Sequence, residues 1–148
     1  EIFTIYLVRH AEKDLSAGSP GDPPLTACGE ERAGHLMEFL GDVHLDAVYS
    51  TDYTRTMSTA QPTAAAKGLE IQGYAPNELE VFAKQLMDAK QDALVAGHSN
   101  TTAVLAGLLV GEDLGSFDES IYNRIYQVVV HEKESRLHVF HTAFRCND

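Results

Sequence analysis

The stretch Ile2-Phe3-Thr4-Ile5-Tyr6-Leu7-Val8 is β-rich and shows no polar alternation. A strand with one wet face would alternate, so this one is expected at the centre of a sheet, covered on both sides. Shorter apolar segments recur at Ala47-Val48-Tyr49 and Ala93-Leu94-Val95-Ala96, with helical patterns between them. Thr26 is placed to cap a first helix, with Glu30 and Glu31 near its start, Ala33, Leu36, Met37 and Leu40 on one face, and Gly41 at its end. A second helix reads from Asp52 or Thr54 to Lys67, with Pro62 as a kink and Gly68 as a stop. Asn77 is expected to open a third, forming a capping box with Glu80 and burying Leu79, Phe82, Ala83 and Leu86. A fourth runs through Val104, Leu105, Leu108 and Leu109 to Gly111. The chain closes as a hairpin, Ile125 to Val130 and Leu137 to Phe140, turning near Lys133-Glu134-Ser135. Strands alternating with helices, then an antiparallel pair, predict a three-layer α/β fold with a mixed sheet. No repeat or linker interrupts the chain, so residues 1–148 are read as one domain.

Eleven basic residues face 22 acidic ones, a net charge of −11. Such a chain is repelled by phosphate polymers and anionic membranes, which disfavours nucleic-acid binding. The longest apolar run, Ala103 to Val110, falls far short of the ~20 residues that span a bilayer, so no transmembrane segment is expected. A small anionic substrate remains compatible with this charge if the few cations gather in one place. Cys28 and Cys146 match no zinc motif and are expected to be two unrelated thiols, with a single bond from tail to first helix as the alternative.

In open α/β sheets, ligands bind beyond the carboxyl ends of the strands. Three strands deliver unusual residues there: the first ends in Arg9-His10, the second leads through Ser50-Thr51 to Arg55, and the third ends in Gly97-His98-Ser99-Asn100. Two guanidinium groups can clamp a phosphoryl group and stabilise its charge as bonds change. An imidazole with one unprotonated nitrogen is a nucleophile toward phosphorus, and a second, protonated imidazole would add a cationic donor. The set suits phosphoryl transfer through a phosphohistidine. Competing phosphate chemistries lack their parts: there is no G-x-x-x-x-G-K-[ST] loop, no G-x-G-x-x-G, and no cysteine in an Arg-bearing phosphate loop. His138 and His141, three apart on one strand, face opposite sides and make no metal site with His131; these, with His35 and His44, read as surface or packed histidines.

The segment Leu7-Val8-Arg9-His10-Ala11-Glu12-Lys13 resembles the R-H-G/A signature of the histidine phosphatase (phosphoglycerate mutase-like) superfamily. Pro24-Leu25-Thr26 with Gly29 and Arg32-Ala33 is similar to the segment that follows it in that family. Tyr49-Ser50-Thr51, Arg55-Thr56 and Thr59-Ala60 resemble the second block, and Val95-Ala96-Gly97-His98-Ser99-Asn100-Thr101 the third. The resemblance implies a phosphoglycerate mutase-like α/β/α sandwich with a mostly parallel sheet. It implies His10 as the phosphorylated nucleophile, Arg9, Arg55 and His98 as the phosphate pocket, and neither a metal nor an organic cofactor. Many family members also place a general acid between the second and third blocks. Here Glu78 and Glu80 are the candidates, both with structural alternatives at a helix start, and Glu12 is a third that could instead pair with Lys13 or Arg9. Lys13 could extend the pocket toward the rest of the substrate; Asn100 and Thr101 could touch substrate but are expected to cap the following helix. The short chain leaves little room for a cap over the site, which favours hydrolysis over mutase chemistry and admits small phosphomonoesters, glycan phosphates or phosphoproteins as substrates. A phosphate-binding module without turnover is the alternative, and a phosphomutase a further one. The chain starts at Glu1 rather than Met, and some bacterial relatives of the R-H-A-E-K form carry signal peptides, so export is slightly favoured over a cytoplasmic location. No oligomer interface is marked in the sequence.

Overall fold

A computed structural model describes residues 1–147. In chain order the elements are β1 (Ile2–Arg9), α1 (Ala27–Phe39), β2 (Ala47–Ser50), α2 (Thr54–Lys67), β3 (Ile71–Gly73), α3 (Leu79–Ala89), β4 (Ala93–Gly97), α4 (Thr102–Val110), β5 (Arg124–His131) and β6 (Glu134–His141). The six strands form one sheet in the order β3-β2-β4-β1-β5-β6. β3, β2, β4 and β1 run parallel, and β5 and β6 are antiparallel additions at β1's other side. This is the mixed three-layer arrangement expected from the alternation of elements.

β1 is central and covered on both faces, as its unbroken apolar run requires. Phe3, Ile5 and Leu7 point into a core shared with Phe82 and Leu86 of α3 and Leu105 and Leu109 of α4. Tyr6 and Val8 point the other way, into a core with Leu36 of α1 and Ala60 and Ala64 of α2. The period of two along the strand thus sorts one run of residues into two cores. At the amino-terminal ends of the parallel strands, Asp92 Oδ1 accepts the Thr4 N–H at 2.8 Å and its other oxygen holds His44 Nδ1 at 2.9 Å. Among the described residues, no helix is long and apolar enough to cross a membrane.

Several local expectations change. Thr26 does cap α1, its hydroxyl accepting the Gly29 N–H at 2.9 Å. The Asn77–Glu80 capping box does not form: Glu78 occupies the cap position of α3, without a side-chain cap bond. The helix is held instead by its strongly apolar face against the sheet, which needs no local cap. α2 begins at Thr54, and its free amino end is capped from a distance: Asp22 accepts the Thr54 N–H at 2.8 Å and the Thr54 hydroxyl at 2.7 Å. The three-residue strand β3 carries no alternation to announce it and exists because β2 offers it an edge. The hairpin turns one residue earlier than read: Glu132 takes a positive φ of 59°, and Glu134 and Ser135 already belong to β6.

The two cysteines are not unrelated thiols. Cys28 and Cys146 form a disulfide across 118 residues, joining the first turn of α1 to the C-terminal tail. Spacing alone could not select the pair; the tail's path does. Thr142 N–H reaches the Asn123 carbonyl at 2.8 Å, and Phe144 stacks on His35 of α1 with ring centroids 4.3 Å apart, which carries Cys146 to Cys28. Closing so long a loop restricts the unfolded chain strongly. Replacing Cys146 by Ser should lower the unfolding free energy by about 2–5 kcal/mol in urea unfolding of the oxidised proteins; unchanged midpoints and slopes would contradict that role.

Candidate functional site

The site is built where β1, β2 and β4 end. β1 and β4 pair in parallel register up to Arg9 opposite Gly97, and the His10 N–H continues the ladder to the Gly97 carbonyl at 2.8 Å. The two chains therefore leave the sheet side by side, and the rings of His10 and His98 lie 5.5 Å apart, edge to face. Gly97 is required at this crossing: a Cβ there would stand 2.7 Å from the Tyr74 hydroxyl and 2.9 Å from Thr101 Oγ1.

His10 is buried, with 3% exposure. Its Nδ1 lies 2.7 Å from the Ala11 carbonyl, an acceptor, so the proton sits on Nδ1 and Nε2 keeps its lone pair. Burial, with Arg9, His98 and Arg55 nearby, holds its pKa down to about 3. The following residue is fixed to α2, because Ala11 N–H donates to Thr59 Oγ1 at 2.8 Å while that hydroxyl donates to the Arg55 carbonyl.

His98 departs from expectation. Burial and the charges of Arg55, Arg9 and Lys13 lower its pKa to about 4, so the ring is neutral at pH 7 rather than a standing cation. Its Nε2 lies 2.9 Å from Thr51 Oγ1, which is itself 2.8 Å from Thr56 Oγ1. The bound substrate's negative charge is what would favour protonating this ring.

The positive charge of the site is carried by arginines. Arg9 is 5% exposed; its Nη1 donates to the carbonyls of Glu119 and, at 2.9 Å, of Ile121, and its guanidinium stacks 3.9 Å from the Tyr122 ring centre. Arg55 stacks on Tyr53 at 4.6 Å and keeps Nε and Nη1 buried without a hydrogen-bond partner. Buried donors without acceptors are costly unless an anion satisfies them. Lys13 is half-buried, held by a bridge to Leu25, and its charge is felt at His98.

The remaining candidates separate from this cluster. Glu12 pairs with neither Lys13 nor Arg9; both of its oxygens are taken by Arg32, at 2.9 and 3.2 Å to Nε and 2.9 Å to Nη2. Gly29 lets α1 come close enough for that pair, since a Cβ there would meet the Glu12 carbonyl at 2.4 Å. Glu78 and Glu80 are exposed at the start of α3. Asn100 is exposed, and Thr101 occupies the cap position of α4 without capping it, its hydroxyl accepting the His98 N–H instead. Tyr53, Tyr122 and the carbonyls of Glu119 and Ile121 escaped the sequence reading. The tyrosines leave a weak signal as aromatics near arginine, whereas a backbone acceptor leaves none.

The chain resembles known proteins in part of its sequence and in its whole fold. Residues 5–75 match the model of the histidine phosphatase superfamily (branch 1). Phosphoserine phosphatase 1 of Hydrogenobacter thermophilus is 38% identical over 71 residues, covering 45% of this chain and 34% of that protein. The Serratia proteamaculans protein named "Probable phosphoglycerate mutase GpmB" is 37% identical over 71 residues, 45% of this chain and 33% of the relative. The matched segment thus spans about a third of these relatives' length. The fold likeness covers far more. The protein histidine phosphatase SixA complexed with tungstate superposes with a TM-score of 0.79 at 18% identity, over 94% of this chain and 97% of that one. The α-ribazole phosphatase of Shigella flexneri gives 0.78 at 17% identity, over 99% and 100%.

The depressed histidine values have a stability consequence. An unfolded histidine, at its ordinary value of 6.5, takes up protons before the folded rings at about 3 and 4 do. Burying neutral rings therefore contributes fully above about pH 6.5, and that contribution is lost as pH falls toward 3. Ring NMR titration of the ligand-free protein should find both histidines still neutral at about pH 5.5; midpoints near 6.5 would refute the assignment.

Proposed function

We propose that this chain is a member of the histidine phosphatase superfamily, whose branch 1 model its residues 5–75 match, and that it is a phosphatase working through a phosphohistidine on His10. The observation that carries the reading is the pairing of a buried imidazole whose Nε2 is free with two guanidinium groups holding unpartnered buried nitrogens beside it. In the first step the Nε2 lone pair attacks phosphorus as the bond to the leaving group breaks; the leaving atom departs with the electron pair and takes up a proton. In the second, water attacks phosphorus, the Nε2–P bond returns its electrons to the ring, and the water's proton and inorganic phosphate are released.

Arg9 and Arg55 neutralise the non-bridging oxygens, and the donors already stand in place, so little reorganisation is needed as charge shifts. Two fixed cations supply the charge stabilisation that the chemistry needs, in keeping with a metal-independent reaction. Lys13, whose charge is felt at His98, extends the positive field toward the non-reacting part of the substrate; Asn100, exposed two residues after His98, is the other candidate for that contact. The leaving-group proton is the least provided-for element. Glu12 is committed to Arg32, which leaves Glu78 and Glu80 at the exposed start of α3. A substrate whose leaving group needs little acid assistance, such as a phosphoramidate, suits this site alongside ordinary phosphomonoesters. The Cys28–Cys146 bond is of a kind that persists in oxidising compartments, and it supports an exported protein.

Turnover of phosphomonoesters and phosphoramidates should persist in excess chelator and vanish in His10→Ala. Brief reaction should leave an acid-labile, base-stable phosphate on the wild-type chain. Arg55→Met should lose about 10²–10³ in kcat. Tight vanadate binding with no turnover of any substrate would instead make the chain a phosphate-binding module.

A further inference from the structure

His98 is the first member of a chain of three polar side chains. Its Nε2 lies 2.9 Å from Thr51 Oγ1, which lies 2.8 Å from Thr56 Oγ1. Thr51 follows β2 directly and Thr56 stands in the first turn of α2, and both are fully buried.

Each hydroxyl has a single proton, so the direction of the chain follows from counting. Thr56 Oγ1 also lies 3.0 Å from the Thr51 carbonyl and 3.0 Å from the Tyr53 carbonyl. Each carbonyl has one other donor, the Ser50 hydroxyl or the Met57 N–H, and a second lone pair to spare. Carbonyl oxygens only accept, so they draw the Thr56 proton. Turned toward Thr51 instead, Thr56 Oγ1 would face both carbonyls with lone pairs alone, out of reach of water. With the Thr56 proton on a carbonyl, the contact between the two hydroxyls requires the Thr51 proton. Thr51 Oγ1 then meets His98 as an acceptor, and Nε2 holds the hydrogen of that bond.

The consequence falls on the other ring nitrogen. A neutral imidazole has one N–H, so Nδ1 keeps the lone pair, and among the described residues it makes no hydrogen bond. The free ring is neutral because burial and the charges of Arg55, Arg9 and Lys13 disfavour a cation. The rings of His10 and Tyr53, 5.5 and 5.2 Å away, add no charge of their own.

We propose that Thr51, oriented by Thr56, is a positioning residue that fixes the resident proton of His98 on Nε2, leaving Nδ1 to take up a proton when phosphate binds. The proposal rests on the reading of His98 as part of the phosphate pocket. A phosphomonoester loses its second proton at about pH 6 and arrives with one proton or none. The Nδ1–H bond forms as a phosphoryl O–H bond breaks, or with a proton from solvent, and the positive charge passes to the ring. The bond from Nε2 to Thr51 is the same in both charge states, so no buried hydroxyl has to turn.

Nitrogen-15 NMR of the His98 ring in the full chain tests this, and the wild-type protein alone suffices for the first arm. Ligand-free at pH 7, Nε2 should carry hydrogen and Nδ1 should not; with saturating inorganic vanadate both should. Thr51→Val keeps the shape and removes the acceptor. It should populate the tautomer with hydrogen on Nδ1 and weaken vanadate binding about tenfold, the loss of one charge-assisted hydrogen bond. Thr51→Ser should restore both. Thr63→Val, the same exchange at a buried hydroxyl of α2 that has no partner, should change neither. His10→Ala should keep the wild-type tautomer, so loss of turnover with these spectra intact would overturn the phosphatase reading alone. Hydrogen on Nδ1 in the ligand-free wild type, a bare Nδ1 in the vanadate complex, or a Thr51→Val spectrum matching wild type would overturn the proposal.

Discussion

The parallel pairing of β1 with β4, carried one residue beyond the strands by the His10 N–H and the Gly97 carbonyl, is the contact on which the site depends. It brings together two histidines 88 positions apart in the chain, and it leaves no freedom in how they approach. The crossing is also crowded. Tyr74 and Thr101 fill the space where any side chain at position 97 would stand, while the Thr101 hydroxyl holds the His98 amide in place. The imidazoles are thus oriented by main-chain and short polar contacts, which are stiffer than the rings' own torsions.

The chemistry then follows from how a strongly acidic protein distributes its few cations. Arg9 is anchored to the carbonyls of the segment leading into β5, so one side chain braces that segment and faces the site. Arg55 is positioned by α2, whose first turn is capped by Asp22 from a distant loop. Burial and the nearby guanidinium groups keep the rings of His10 and His98 neutral until acidic pH, so the His10 Nε2 lone pair is available for the proposed attack without a dedicated base. Folding meets the electrostatic cost of this cluster through the two apolar cores on either side of the sheet.

The Glu12–Arg32 pair links the loop after His10 to α1, and the disulfide links α1 to the C-terminal tail. Changes at the tail therefore have a short covalent and ionic route to the loop that follows His10.

Much of this was legible in the residues. The unbroken apolar run of β1 required a doubly covered strand, Thr26 and Gly68 bounded their helices, and Arg9, His10, Arg55 and His98 stood out because unusual side chains fell at strand ends. These signals are local: periodicity, capping and residue type act within a turn or a strand. What the tertiary structure alone decided was partnership. Glu12 went to Arg32 rather than to its neighbours, Asp22 rather than a local residue capped α2, the Asn77–Glu80 box stayed open, and Cys28 found Cys146. A side chain selects its partner by distance and by what burial makes costly to leave unpaired, and neither quantity exists until the chain has folded.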